Sequence, residues 1–248
     1  MKPSRLVRRA IERLTGVHLL RYLPHGLDVF RDIRTSLPGH RMHTFLDVGA
    51  NNGQSALLYA ETHPKAEIHS FEPVAATFDL LVRNTRAEER IHCHRYALGS
   101  STGQARMSSM GTDRMNRILG AEAAAEQVEV MPMITLDDFL AQRRIERVSY
   151  LKIDTEGHDL EVLEGASGAL RDQRIDLVEL EAGMNPHNTF HVPFHELAVR
   201  MAQDGYALFG IYHQTHEWKT RSPQMRRCDP VFLSKRMMKQ YEGTMAPI

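Results

Sequence analysis

Asp154, Glu156 and His158 fall within five residues of one another at the end of the apolar run Tyr150-Leu-Lys-Ile. Three ionisable side chains at one edge of a ligand site suit proton transfer or metal binding. A second run, Ile175-Asp-Leu-Val-Glu-Leu-Glu181, also ends in a carboxylate. Adjacent strands lie about 4.8 Å apart, so if these runs are neighbours Asp154 and Glu181 can share one cation or one substrate hydroxyl. Their oxygens suit a hard divalent ion such as Mg²⁺, which would acidify a bound hydroxyl while His158 or His187 accepts its proton. A base acting without metal is the alternative, and for each carboxylate so is the plain role of capping a helix or turn. The catalytic candidates are Asp154, His158, Glu181 and His187, and the metal candidates Asp154 and Glu181. Among the fourteen histidines, His92, His94, His158, His187, His191, His195, His213 and His216 invite metal assignments. His92 and His94 share a strand face but lack a third ligand at zinc spacing. His158, His187 and His195 follow the strand ends and suit an acceptor pocket, whereas His213 and His216 read as solvated.

A different chemistry attaches to Phe45-Leu-Asp47-Val-Gly49-Ala50-Asn51-Asn52-Gly53. Glycines at a strand-to-helix turn let the backbone approach a ligand beyond the carboxyl ends of parallel strands. The spacing is G-x-x-x-G and not the dinucleotide pattern G-x-G-x-x-G, which disfavours an NAD-dependent oxidoreductase. Phe71-Glu72-Pro73 then ends a second run with a carboxylate placed to receive both hydroxyls of a ribose, and Tyr96-Ala97-Leu98-Gly99 offers small residues that leave room for an adenine ring.

These residues need a scaffold, and the pattern from Thr44 onward supplies one: short apolar runs alternating with helical periodicity, as in an α/β parallel sheet. Strands are expected at 44–49, 67–71, 91–96, 128–131, 148–154, 175–181, 206–212 and 229–233. Helices are expected at 53–62 (Ala56, Leu57 and Ala60 inward), 74–86, 157–170 (Leu160, Leu163, Ser167 and Leu170 on one stripe) and 194–203. A further helix should begin at Thr135, with Thr135 as its N-cap and Asp138 at the capping-box position. The division expected is an N-terminal helical extension (1–43), a core domain (44–235) and a C-terminal tail (236–248).

The 248 residues are 42% apolar and 25% charged, enough to bury a core, and the formal net charge of +0 gives no reason to expect nucleic acid as partner. Two cysteines, Cys93 and Cys228, are too few for a disulfide framework and read as reduced thiols in a cytoplasmic protein. No apolar stretch is long enough for a membrane span or a signal peptide. Residues 1–41 carry nine basic against three acidic side chains. Leu6, Ala10 and Leu14 suggest an amphipathic helix laid over the core or over the partner of a homodimer, with an acceptor-site lid or an anion-docking surface as the other reading.

In order and spacing, DVGANNG, FEP, YALG, TLDDFL, KIDTEGHDLEVLEGA and VELE together resemble the FkbM family of methyltransferases, over Thr44 to Leu233. That resemblance implies a class I, Rossmann-like, doubly wound, mostly parallel seven-stranded sheet that binds S-adenosylmethionine. It also implies O-methylation of a hydroxyl on a small-molecule sugar, oligosaccharide or secondary metabolite. Asp47, Gly49, Ala50, Asn51 and Gly53 would then surround the methionine part, Glu72 and Pro73 the ribose, and Ala97 and Leu98 the adenine, with Asp154 beside the ligand. The chain departs from the family's KIDVEG at Thr155, and His158 and Asp159 stand where an acidic residue commonly follows EG. N-methylation of an amino sugar or other small amine, and a non-catalytic nucleoside-binding protein, are the alternatives. The segment from Met107 to Gln127 and the N-terminal extension, both outside the alternating core, are expected to shape acceptor specificity.

Overall fold

The structure, a computed structural model, describes residue 9 and residues 12–17, 23–108, 117–118, 128–217 and 221–244. In chain order its first half holds α1 (Val29–Ser36), β1 (Thr44–Val48), α2 (Gln54–Thr62), β2 (Glu67–Phe71), α3 (Ala75–Thr85), β3 (Ile91–His94), β4 (Ala97–Leu98), β5 (Gly103–Ser108), β6 (Arg117–Ile118) and β7 (Val128–Ile134). There follow α4 (Leu136–Arg143), β8 (Val148–Ile153), α5 (Asp159–Glu164), α6 (Ser167–Arg171), β9 (Ile175–Leu180), β10 (Ala182–Gly183), α7 (Phe194–Gln203), β11 (Tyr206–His216), β12 (Met225–Ser234) and α8 (Lys235–Gln240).

The main sheet runs β3-β2-β1-β8-β9-β12-β11, with β10 continuing past β9 along β12. From β3 to β9 all pairs are parallel, and β12 is antiparallel to both its neighbours. This is the class I, Rossmann-like arrangement, with the order reversing between β1 and β8. Ligands of such sheets bind at that reversal, beyond the carboxyl ends of the strands. Tyr150, Leu151, Leu177 and Val178 are fully buried because helices cover both faces of the central strands. Phe30 and Ile33 of α1 pack with Phe45, Tyr59 and Tyr150 on one face, while Leu46, Leu151, Val162, Leu170 and Phe232 build the core of the other.

Several local expectations change. In α2 the buried positions are Ala56, Tyr59 and Ala60, and Leu57 is 37% exposed, because the stripe facing the sheet runs through Tyr59. Helix 157–170 is two helices, since at Gly165 a Cβ would lie 2.1 Å from the carbonyl oxygen of Gly99 and the chain bends where the backbones touch. The third strand ends at His94, and Ala97–Leu98 joins a separate sheet ordered β4-β7-β5-β6. In β5, Ala105 and Met107 are buried while Gln104 and Arg106 are exposed, the period of two expected of a half-buried strand.

Thr135 caps α4 as expected, its hydroxyl accepting from the Asp138 N–H at 3.0 Å. The return half of the box is relayed: the Thr102 hydroxyl donates to the Asp138 carboxylate and accepts from the Thr135 N–H. Leu6 and Ala10 of the proposed amphipathic stripe lie outside the described residues, as do 109–116 and 119–127 of the proposed specificity segment; Leu14 is 86% exposed. Cys93 and Cys228 are free thiols. Among the described residues no helix is long and apolar enough to cross a membrane.

Candidate active site

Strand register sets the site. Val48 pairs with Phe71 on one side and Ile153 on the other, and Ile153 pairs with Leu180. The next residue along each strand therefore belongs to one row: Glu72, Gly49, Asp154, Glu181. At about 4.8 Å per strand the row is about 14 Å long. It runs along a cleft of about 550 Å³, within the range of small-molecule sites.

At the Glu72 end the turn after β1 is fixed by its backbone. Gly49 has φ +81, and a Cβ there would stand 1.9 Å from the Asp154 carbonyl oxygen, so only glycine fits. The N–H groups of Gly49 and Ala50 both donate to the Phe71 carbonyl. Glu72 is 7% exposed, its Oε2 accepting from the Asn51 N–H at 3.1 Å and its Oε1 from the Val74 N–H at 3.0 Å. Burial pushes its carboxyl up to about 7, against those two hydrogen bonds. Ala50, Asn51, Pro73, Ala97 and Leu98 line the cleft with Gly49 and Glu72, as do Tyr96 and Met107.

Two residues expected at this end stand behind it. Asp47 is fully buried on the sheet face, outside the cleft lining, and neither carboxylate oxygen has a hydrogen-bond partner among the described residues. Burial raises it to about 6, Lys152 opposing and Asp154 adding. Strand alternation, which turns Asp47 to the face opposite Leu46 and Val48, is the reason. Gly53, with φ +88, packs instead against α3, where a Cβ would stand 2.9 Å from side-chain atoms of Leu81 and Thr85.

At the other end Asp154 and Glu181 lie on neighbouring strands, but each carboxylate already faces protein cations. Asp154 takes the Lys152 ammonium at 2.8 Å. Burial alone would raise its carboxyl, but Lys152 outweighs that and holds it below the usual carboxylate range. Glu181, 5% exposed, accepts His191 Nε2 at 2.7 Å and pairs its other oxygen with Arg227. A different group at this end has its ligand atoms closest together: Glu156, Glu181 and His191 offer atoms all within 4.8 Å of one another, and Asp154 is not among them. Glu156 lies 3.7 Å from His191 Nε2, and burial, then Asp154, raises its carboxyl.

His158 and His187 are not among the cleft residues. Gly157, at φ +100, turns the chain into α5, and His158 faces Glu161 at 3.8 Å. His187 is exposed on a turn where its N–H donates to Asn185 Oδ1. His195 is exposed on α7. His191, 8% exposed, takes their place because its loop doubles back: the Gly183 N–H donates to the Val192 carbonyl and Asn188 holds the Nδ1 side of the ring. His213, expected to be merely solvated, pairs with Asp229 at 2.7 Å, and that hydrogen bond raises its pKa.

A sequence profile described as the methyltransferase FkbM domain matches residues 47–208. The chain is 32% identical over 146 residues to the hexuronic acid methyltransferase AglP of Haloferax volcanii, covering 56% of each chain. It is 28% identical over 181 residues to the 31-O-demethyl-FK506 methyltransferase FkbM of Streptomyces tacrolimicus, covering 60% of this chain and 65% of that one. The chain therefore spans less than two thirds of these relatives' length. M. capricolum TrmK in complex with S-adenosyl-homocysteine superposes with a TM-score of 0.46 at 8% identity, over 84% of this chain and 69% of that one.

Proposed function

The chain belongs to the FkbM methyltransferase family, and from that premise we propose that it transfers the methyl group of S-adenosylmethionine to a hydroxyl of a small sugar-type acceptor. One observation carries the reading: a single cleft joins a ribose-type carboxylate, Glu72, to the Glu156–Glu181–His191 group at the far end of the same row. The donor half fits. Glu72 has one backbone donor on each oxygen, which leaves each free to accept a ribose hydroxyl. Gly49 lets the turn after β1 close against the Asp154 carbonyl at the cleft edge, and Ala97 and Leu98 leave a shallow apolar wall for a base. When bound, S-adenosylmethionine supplies an electrophilic sulfonium methyl group.

An alcohol gains nucleophilicity as it loses its proton, so the acceptor half needs a base. Glu156 fills that role, its raised carboxyl being more basic than an ordinary one. Glu181, itself paired with Arg227, fixes the His191 ring beside it. Walls on both sides hold the acceptor against the donor and limit competing water. Arg226 and Arg227 also line the cleft, already paired with Glu217 and Glu181, so the case for an acidic sugar rests on the relative named as a hexuronic acid methyltransferase. The carboxylate pairing with Lys152 and Arg227 favours a base over Mg²⁺ as the activating group.

The test is calorimetry with S-adenosylmethionine and S-adenosylhomocysteine, then labelled methyl transfer to neutral hexoses and hexuronic acids, with the product methyl located by NMR. Binding of neither nucleoside removes the proposal. Turnover abolished by EDTA and restored by Mg²⁺ would replace the base with a metal.

A further inference from the structure

The amino-terminal edge of the sheet, opposite the cleft, carries a second concavity of about 260 Å³. It is formed where the chain enters β1, β8 and β9 and leaves β12 for α8. Arg41, Arg147 and Arg236 line it with His40 and His43, against the single carboxylate of Asp176. Positive charge thus exceeds negative by two before either imidazole is counted.

Asp176, 2% exposed, satisfies these groups only in part. Arg236 donates one Nη to it and Arg147 a long hydrogen bond of 3.5 Å, while His40 Nε2 stands 3.5 Å away without one. The His40 side chain is 9% exposed and its Nε2 makes no hydrogen bond, although Asp176 Oδ2 lies 3.5 Å away; burial lowers its pKa and Asp176 opposes that. Arg236 Nε is likewise buried without an acceptor. Buried donors without acceptors are rare in folded proteins, and a bound ion is one of the few arrangements that accounts for them. Here the Arg236 Nε–H, a donor under all conditions, borders one cationic concavity beside the unbonded His40 Nε2.

We propose that this concavity binds a phosphate-type oxyanion, either free or as the phosphoryl end of a small monoester. A tetrahedral dianion offers acceptors in several directions, matching donors that arrive from separate elements, and balances the surplus charge. Its binding links the entry to β1, the start of β8 and the start of α8.

The test is calorimetry on the full chain at low ionic strength, titrating inorganic phosphate and, separately, glucose 6-phosphate. Wild type should bind with Kd below about 1 mM and melt at higher temperature as ligand is added. Arg147→Gln, at a half-exposed position, should weaken binding at least about tenfold, the loss of one charge-assisted hydrogen bond, while S-adenosylhomocysteine binding stays unchanged. Asp176→Asn should tighten it, because the competing carboxylate is gone. Tighter binding of the ester names a monoester as the ligand, and equal binding names the free ion. No binding of either by wild type, or equal affinities in wild type, Arg147→Gln and Arg236→Gln, overturns the proposal.

Discussion

Replacing Glu72 with glutamine separates binding from stability. Burial lifts the Glu72 carboxyl from 4.5 to about 7 in the folded chain, which favours the folded protonated form by about 3 kcal/mol. Because the folded value is the raised one, this stability is fully present below pH 4.5 and is lost as pH rises through about 7. Glutamine stays neutral and escapes that loss at pH 8. It can accept only one of the two N–H groups, from Asn51 and Val74, that now reach the two oxygens, at a cost of about 1–3 kcal/mol. The two effects offset, so urea unfolding of the ligand-free variant at pH 8 should match wild type within about 2 kcal/mol. Affinity for S-adenosylhomocysteine should nevertheless fall by about tenfold to 150-fold, the worth of a charge-assisted bond to a ribose hydroxyl. Wild-type affinity should also weaken by about tenfold per pH unit below 7. The variant should lack that slope, which separates Glu72 from any titration of the ligand itself. A variant that binds like wild type at pH 8, or shows the same slope, would sink the ribose assignment.

Other expectations follow from the same geometry. Gly49→Ala should cost more than about 3 kcal/mol in urea unfolding, since its Cβ meets backbone 1.9 Å away at a positive φ; a stable variant would show that the turn can shift. Glu156→Gln should lower kcat by about 10²–10⁴-fold while leaving S-adenosylhomocysteine affinity near wild type, and His191→Ala should lower it in the same direction; normal turnover in both would place the base elsewhere. Asp47 and Asp159 are raised by burial to about 6 and about 7. Their stabilising protons are present below about pH 3.8 and lost as pH rises through those values, so the thermal midpoint should fall from pH 5 to 8. Asp159→Asn should flatten that fall, and an unchanged pH profile would contradict the assignment.

Where function rests on residues adjacent to a strand, the sequence was readable. Gly49, Glu72, Asp154 and Glu181 each follow the last apolar residue of a run, and register alone puts them in one row. The adjacency of Asp154 and Glu181 needed only that β8 and β9 be neighbours, which they are. His191 was not readable, because its position depends on a loop closing back on β10 by main-chain bonds that have no sequence period. His158 misled because sequence proximity to Asp154 does not survive the left-handed turn at Gly157. Ala97–Leu98 looked like the tail of β3, since a two-residue strand cannot declare which sheet it joins. Lys152 and Arg227 were the other missed partners, and both neutralise carboxylates that in the sequence alone looked free for a metal.

The loop that carries His191 has a consequence for how such an enzyme diversifies. Its main chain and side chains are fastened to the carboxy-terminal strands: Met184 N–H and the Asn188 amide both donate to the Arg226 carbonyl, and Asn185 reaches Glu217. His191, Glu181, Arg226 and Arg227 therefore form one mechanical block, encoded from residue 175 onward. Glu72 and the Gly49 turn belong to another, encoded before residue 100, and the two blocks meet across β1 and β8. A crossover in the connection before β9 would exchange Glu181, His191, Arg226 and Arg227 together while leaving Glu156 with the other block, so the Glu156–Glu181–His191 group is the seam between them.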